Sequence, residues 1–255
     1  MTLSGARNCG RRSTSIILSG RYVSLLRKGA GRQILFLHGY MSKKESFYYQ
    51  TACFSRLGFE CVAPDFPGFG GSAAIDSAWS VGDYADWLAD FVAAAQLNNP
   101  HIIAHSFGAR VAFKALARSN FADRLVITGG AGLVKPRSAA YMRKVRAYRA
   151  VKRIAPSFAE RHFGSAEYRA LPPIMRASYK KIVNEDLSGC AAGIKNKTLL
   201  IYGRDDTVTP PAQEGETFSK LIADSQLKIM DGGHFCFCEH PEEFNCAALA
   251  FLNGG

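Results

Sequence analysis

Long apolar segments are missing from this chain. No apolar run in the 255 residues approaches the ~18 residues that a membrane-spanning helix needs. The pair Arg11 and Arg12 suggests an export signal, but only the short stretch Ser15–Leu18 follows it, and a secretory signal needs an apolar region of ~7–15 residues. We therefore expect no stable membrane insertion and a cytoplasmic protein.

A regular cysteine framework is also missing. The seven cysteines are an odd number without regular spacing, which argues against a set of disulfides. Cys236 and Cys238 follow His234 closely, but the pattern lacks the paired ligands that structural zinc sites show. Such cysteines more often act as small apolar fillers, so we expect no metal and no cofactor.

Acidic residues are scarce between Leu133 and Gly189. This stretch holds thirteen Lys and Arg against four Asp and Glu, and carries +9 of the chain's formal net charge of +11. A basic segment of this kind could attract anionic substrates or touch anionic lipid, although a solvated helix face is the commoner explanation. No recognised nucleic-acid-binding module accompanies the charge, so we expect no nucleic-acid partner.

What the chain does contain is a regular alternation of strands and helices. Ile34–Leu37 and Ile102–Ala104 are continuous apolar runs, typical of strands buried on both faces, and Gly82–Leu97 has apolar residues at helical spacing. Ser13–Leu18 and Tyr22–Leu26 are predicted edge strands. The pattern predicts an α/β fold with a mostly parallel central sheet and helices on both faces.

The alternation stops between Leu133 and Gly189. Apolar residues such as Tyr141, Val145 and Tyr148 recur there at helical spacing, with few β-branched runs. The chain therefore divides into a first part of the core at residues 1–132, a helical insert at 133–189 and a second part of the core at 190–255.

A predicted strand turns abruptly into a predicted helix at Ser106. Such a turn exposes the serine hydroxyl at the carboxyl edge of the sheet, and the backbone N–H groups that open the helix can face an oxyanion. The turn is tight and needs small residues two positions before and after the serine, where Ala104 and Gly108 stand. The pattern favours Ser106 as a nucleophile, with a serine in an ordinary buried strand–helix unit as the alternative.

Residues that could activate this serine follow two later strands. His234 lies after Leu227–Met230 and is the only histidine in a strand-end loop with a Gly-Gly approach, so it is the candidate base. Asp205 and Asp206 follow the strand at Thr198–Tyr202, and only one of these neighbours can readily reach His234. His105, directly before Ser106, is expected to point elsewhere.

The joint pattern resembles the α/β-hydrolase fold superfamily over roughly residues 20 to 252. The resemblance rests on His38-Gly39, on the segment 65–72 with its Asp-x-Pro-Gly-x-Gly pattern, on Ala-x-Ser106-x-Gly, and on the chain order serine, aspartate, histidine. It implies that Asp206, from the pattern Gly-x-x-Asp, orients His234. It also implies that the insert is a helical cap between the sixth and seventh strands.

Further roles follow from the same resemblance. The backbone N–H groups of Tyr40 and Phe107 would form the oxyanion hole, and His38 and Asp65 would be structural. Met41, Tyr141 and Phe235 are predicted to line the substrate pocket.

The resemblance implies a serine hydrolase that cleaves a small carboxylic ester through an acyl-enzyme. A carbon–carbon-bond hydrolase, a cofactor-free perhydrolase or haloperoxidase, and a slow-turnover ligand receptor of the same fold remain alternatives. Serine rather than aspartate at the turn argues against haloalkane dehalogenase and epoxide hydrolase chemistry. The expected partner is a small-molecule ester or acyl substrate.

Overall fold

The central sheet of the protein has eight strands within the part of the chain that the computed structural model describes, residues 12–134 and 166–254 with the single positions 143, 146, 147 and 153. The strands are β1 Arg12–Leu18, β2 Arg21–Lys28, β3 Arg32–Leu37, β4 Phe59–Pro64, β5 His101–His105, β6 Leu125–Thr128, β7 Thr198–Gly203 and β8 Ser225–Met230. They lie in the order β1-β2-β4-β3-β5-β6-β7-β8.

Parallel pairing runs through the sheet from β4 to β8. β2 pairs antiparallel with β4, and β1 pairs antiparallel with β2 through a turn at Ser19 and Gly20. The prediction of two edge strands is therefore right for β1 and wrong for β2. In this hairpin β1 pairs with the outer edge of β2, so β2 has β1 on one side and β4 on the other.

Helices cover both faces of this sheet. Their described bounds are α1 Tyr48–Arg56, α2 Val81–Ala94, α3 Phe107–Arg118, α4 Ala166–Ala170, α5 Pro173–Val183, α6 Ser188–Ala192, α7 Glu216–Leu221, α8 Cys236–Glu239 and α9 Pro241–Leu252. One apolar cluster joins the sheet to α2, α3 and α5 to α7, and a second joins it to α1, α8 and α9. The predicted fold class is confirmed, and β5, β6 and β7 in the middle of the parallel part are buried at every residue.

Local sequence explains where the principal helices begin. Ser80 caps α2 in a capping box, its hydroxyl accepting from the amide of Asp83 while the Asp83 side chain accepts from the Ser80 amide. Pro241 occupies the first position of α9, where its missing N–H would have no acceptor within the helix.

Between β6 and β7 the structure describes the helices α4, α5 and α6, and residues 129–134, which directly follow β6, form no helix. Of these helices, α5 is fixed to the loop before α2, because the Ser178 hydroxyl donates to the Trp79 carbonyl at 2.6 Å and the Lys181 ammonium donates to the Ala78 carbonyl at 2.6 Å. The limits of the cap stay a prediction. Among its described basic residues, the exposed ones are Arg143, Arg146, Arg153, Arg169, Lys180 and Lys181.

Candidate active site

The predicted site residues follow three parallel strands at one edge of the sheet. Ser106 comes directly after β5, Asp206 three residues after β7, and His234 four residues after β8. Since the carboxyl ends of parallel strands share one edge, the topology places all three on the same side of the molecule.

Ser106 occupies a strained turn. Its φ is 50° and its ψ is −107°, a left-handed conformation that costs a non-glycine residue ~1–3 kcal/mol. Its amide donates to the Thr128 carbonyl at 3.2 Å, which ties the turn to β6. At position 108 a Cβ atom would lie 2.2 Å from the Leu37 carbonyl oxygen, so only glycine lets α3 approach β3 this closely.

The residues that carry the two predicted oxyanion donors contact each other. The rings of Tyr40 and Phe107 pack edge to face with centroids 5.4 Å apart. Phe107 is the first residue of α3, so its N–H has no acceptor within the helix. The Tyr40 hydroxyl donates to the Met175 carbonyl at 2.8 Å, which connects this loop to α5.

Asp206 and His234 form a direct pair. The Oδ2 atom of Asp206 lies 2.8 Å from Nδ1 of His234, and its Oδ1 atom accepts from the amides of Val208 and Thr209, each at 2.8 Å. With Nδ1 donating to the carboxylate, Nε2 of His234 is the nitrogen left to accept a proton. Asp205 is exposed and its amide donates to Gly232, so the structure brings Asp206 rather than Asp205 to His234.

The environment keeps Asp206 ionised although its side chain is fully buried. Burial by itself would raise the pKa of this carboxyl, but the hydrogen bonds from His234 and Thr209 outweigh burial and lower the pKa to about 2. The carboxylate is therefore negative over the pH range in which a histidine titrates.

A family model described as the alpha/beta hydrolase family matches residues 34–248. The chain belongs to the alpha/beta hydrolase family. The expectation that it is a hydrolase is thereby confirmed, and members of this family act on small molecules.

Individual relatives agree with this assignment. The AB hydrolase superfamily protein YisY of Bacillus subtilis is 28% identical, over 88% of this chain and 93% of that protein. The esterase EaEST of Exiguobacterium antarcticum matches with a TM-score of 0.78 and 20% identity, over 95% of this chain and 100% of that one. A bromoperoxidase of Bacillus anthracis matches with a TM-score of 0.78 and 17% identity, over 94% and 100%. At these identities the two solved structures show the shared fold.

The Thr209 hydroxyl contacts both Asp206 and His234, a contact that the sequence patterns did not predict. Its side chain is buried, and its hydroxyl lies 2.8 Å from Oδ2 of Asp206, 3.0 Å from the Gly129 carbonyl and 3.2 Å from Nδ1 of His234. An Asp followed three residues later by a Thr is a local turn pattern that could have indicated it.

His105 packs against His234, so the expectation that its side chain points elsewhere is wrong. Its Nε2–H donates to the His234 carbonyl at 3.0 Å, and the two rings have centroids 4.7 Å apart. Burial, and next the neighbouring His234, lower the pKa of His105 to about 3, which makes it a neutral donor. The cause is topological, because the loop after β8 reaches along the carboxyl edge of the sheet to the end of β5, although β6 and β7 lie between the two strands.

His38 and Asp65 have the structural roles predicted for them. His38 is buried, donates from Nδ1 to the Gly39 carbonyl at 2.7 Å and accepts from the Phe66 amide at Nε2 at 3.0 Å. The Asp65 carboxylate accepts from the amide and the ammonium of Lys44, each at 2.7 Å. Both residues therefore join the loop after β3 to the loop after β4.

Two of the three predicted pocket residues, Met41 and Phe235, are exposed in the structure. Met41 is 48% exposed and has a φ of 56°. Phe235 is 44% exposed, and its ring lies 4.9 Å from that of His105 and 5.5 Å from that of His234. Tyr141 lies outside the described residues.

Cys236 and Cys238 contact oxygen atoms of the protein. The Sγ atom of Cys236 lies 3.7 Å from the Thr128 hydroxyl, and Cys238 donates to the Ser46 carbonyl at 3.2 Å. Within residues 12–134 and 166–254, no group of three or more His, Cys, Asp and Glu is placed to hold a metal ion.

In the same described parts, no helix is long and apolar enough to cross a membrane.

Proposed function

We propose that this protein is a serine hydrolase that cleaves small carboxylic esters, with Ser106 as nucleophile, His234 as general base and acid, and Asp206 as the residue that orients His234. The observation that carries the proposal is the Asp206–His234 hydrogen bond of 2.8 Å, at the sheet edge where a strained turn holds Ser106. This combination of a strained serine and an oriented histidine is the arrangement that acyl transfer requires.

The reaction proceeds in two acyl-transfer steps. Ser106 Oγ attacks the ester carbonyl carbon while His234 Nε2 takes its proton, and a tetrahedral oxyanion forms. Collapse breaks the bond to the alcohol oxygen, which receives that proton from His234. Water then attacks the acyl-enzyme with His234 again as base, and the carboxylic acid leaves as Ser106 regains its proton.

Backbone N–H groups stabilise the oxyanion in both steps. The proposed donors are the amides of Tyr40 and Phe107, whose rings are in contact. Donors of this kind contribute ~3–4 kcal/mol each to transition-state stabilisation in other acyl-transfer enzymes. The negative charge of Asp206 stabilises the imidazolium that His234 becomes while it holds the serine proton.

A perhydrolase or haloperoxidase activity is the second candidate. The observation that favours it is the fold shared with the Bacillus anthracis bromoperoxidase over 94% of this chain. In that reaction hydrogen peroxide replaces water as the acceptor of the acyl group, and a peroxycarboxylic acid leaves. The carbon–carbon-bond hydrolase and slow-receptor alternatives and the cytoplasmic location remain predictions.

The test is turnover of p-nitrophenyl esters from acetate to decanoate by the wild type, Ser106→Ala and Ser119→Ala. Ser119 is an exposed serine at the other end of α3 and serves as the matched control. We expect Ser106→Ala to lose turnover and Ser119→Ala to keep it. A fluorophosphonate should add to Ser106 and to no other serine, as read by peptide mass. Ester turnover that survives in Ser106→Ala would refute the assignment, and labelling without turnover would favour the slow receptor.

A further inference from the structure

A groove opens beside the loop that carries Tyr40. Its volume is about 620 Å³, which lies in the ~300–1,000 Å³ range of small-molecule sites. Three segments line it, namely the loop after β3, the loop after β4 and the chain at the start of α5. Its apolar surface comes from Met41, Phe69, Leu171, Pro172 and Met175.

Close packing fixes the inner wall of this groove. Met175 is 5% exposed and Phe69 is 7% exposed, so both lie deep in it. Gly68 has a φ of +85°, and a Cβ atom at this position would lie 2.8 Å from the Met175 sulfur. Glycine at position 68 therefore allows the Met175 thioether to form the floor. Met41 is a second unbranched thioether on the wall, a side chain that adapts to the shape of an apolar ligand.

Tyr40 connects the groove to the loop of the proposed oxyanion donor. Met41, which lines the groove, follows Tyr40 directly in the chain. The Tyr40 hydroxyl donates to the Met175 carbonyl, and the Tyr40 ring packs 4.8 Å from the Phe69 ring. The loop of the proposed oxyanion donor thus shares its packing with the groove floor.

The position of His234 decides which part of an ester enters the groove. His234 must give its proton to the leaving alcohol, so the alcohol group has to lie on the His234 side of the scissile bond. The described residues that line the groove come from segments 41–46, 68–70 and 171–175, and none belongs to the loops that carry Asp206 and His234. The groove is therefore on the acyl side.

We propose that this groove binds an unbranched aliphatic acyl chain and makes the protein selective for esters of linear acids longer than acetate. The inference rests on the ester-hydrolase function proposed above. Leu171, Met175 and Phe69 supply the apolar contacts, and each methylene of the acyl chain that is buried against them adds to the binding free energy.

The experiment fills the groove and compares two substrate series. Leu171→Trp places a large side chain in the groove, and Ile174→Trp is the matched control, since Ile174 lies three residues further along, is 38% exposed and does not line the groove. One series varies the acid, from p-nitrophenyl acetate to decanoate. The other varies the alcohol, from ethyl to octyl acetate.

We expect Leu171→Trp to lower kcat/KM for the decanoate about tenfold or more relative to the acetate, and to leave the ratio of octyl to ethyl acetate in the alcohol series as it is in the wild type. Ile174→Trp should leave both series unchanged. Met175→Ala, which opens the floor, should instead shift the preference towards longer acids, and it tests the same groove if Leu171→Trp does not fold.

Each opposite result has a distinct meaning. If the wild type hydrolyses acetate and neither groove variant changes the acid series, the groove inference is wrong and the ester function stands. If the alcohol series changes instead of the acid series, the assignment to the acyl side is wrong. If the wild type hydrolyses no ester of either series, the proposed function fails and the inference fails with it.

Discussion

The residue before the proposed nucleophile holds the proposed base, since His105 donates from Nε2 to the carbonyl oxygen of His234 at 3.0 Å. This bond joins the end of β5 directly to the loop after β8 and so couples the positions of Ser106 and His234. We expect His105→Leu, which cannot donate, to lower kcat about tenfold or more through misplacement of His234. His105→Gln retains a donor and should recover part of the loss. Equal activity of both variants in steady-state kinetics would contradict this role.

Asp206 and Asp205 provide a matched pair. Asp206→Asn keeps the shape of the side chain but removes the charge and the acceptor at Oδ2, so we expect kcat to fall by roughly 10³–10⁴. Asp205→Asn changes an exposed residue and should remain within a few-fold of the wild type. Rates with p-nitrophenyl acetate, together with thermal unfolding to check the fold, distinguish them. Comparable losses in the two variants would mean that the wrong acid is assigned.

The ionisation of Asp206 predicts a pH dependence of stability. Its pKa is about 2 in the folded protein, against the ordinary value of 3.8. A lowered pKa stabilises the fold above the ordinary value, and the stabilisation is lost as the pH falls towards 2. The free energy of unfolding of the wild type should exceed that of Asp206→Asn, and the difference should shrink by about 1 kcal/mol between about pH 5 and about pH 3. Urea titrations of both proteins measure it, and a constant difference would contradict the prediction.

Backbone strain at Ser106 predicts a gain in stability when the nucleophile is replaced by glycine. A φ of 50° is strained for serine and alanine and relaxed for glycine. We therefore expect Ser106→Gly to be more stable than Ser106→Ala by about 1 kcal/mol, after the extra entropy of glycine in the unfolded chain is counted. Thermal unfolding decides it, with Ser119→Gly against Ser119→Ala as the control pair in extended backbone. Equal stability of the two position-106 variants would show that the turn holds no strain.

The Thr209 hydroxyl is expected to position the Asp206–His234 pair. Thr209→Val keeps the shape and removes the hydrogen bond to Asp206, whereas Thr209→Ser keeps the hydroxyl. We expect Thr209→Val to lower kcat by about tenfold at unchanged KM, the loss associated with about 1.4 kcal/mol, and to raise the pKa of the Asp206 carboxyl. Thr209→Ser should stay near the wild type. Equal rates for the two variants would show that the Thr209 hydroxyl does not position the pair and that Thr209 contributes only its packing.

Much of this protein is determined by patterns that are local in the sequence. The strands at Ile34–Leu37 and Ile102–Ala104 could be predicted, because a continuous apolar run is typical of a strand that is buried on both faces of a sheet. The turn at Ser106 could be predicted because the small residues around it are required by the geometry of the turn itself. The common location of Ser106, Asp206 and His234 could also be predicted. Each residue follows a predicted strand, and parallel strands have their carboxyl ends at the same edge of the sheet.

The tertiary structure decided what depends on contacts between distant segments. β2 lies inside the sheet because β1 pairs with its outer edge. The sequence of Tyr22–Leu26 does not show whether this strand has a second partner. The contact of His105 with His234 joins residues 129 positions apart, and the direction of a strand-end side chain depends on which loops meet there. Periodicity and spacing describe neighbours along the chain. Hydrogen bonds such as those of Thr209 form only when three separate loops have been brought to the same edge.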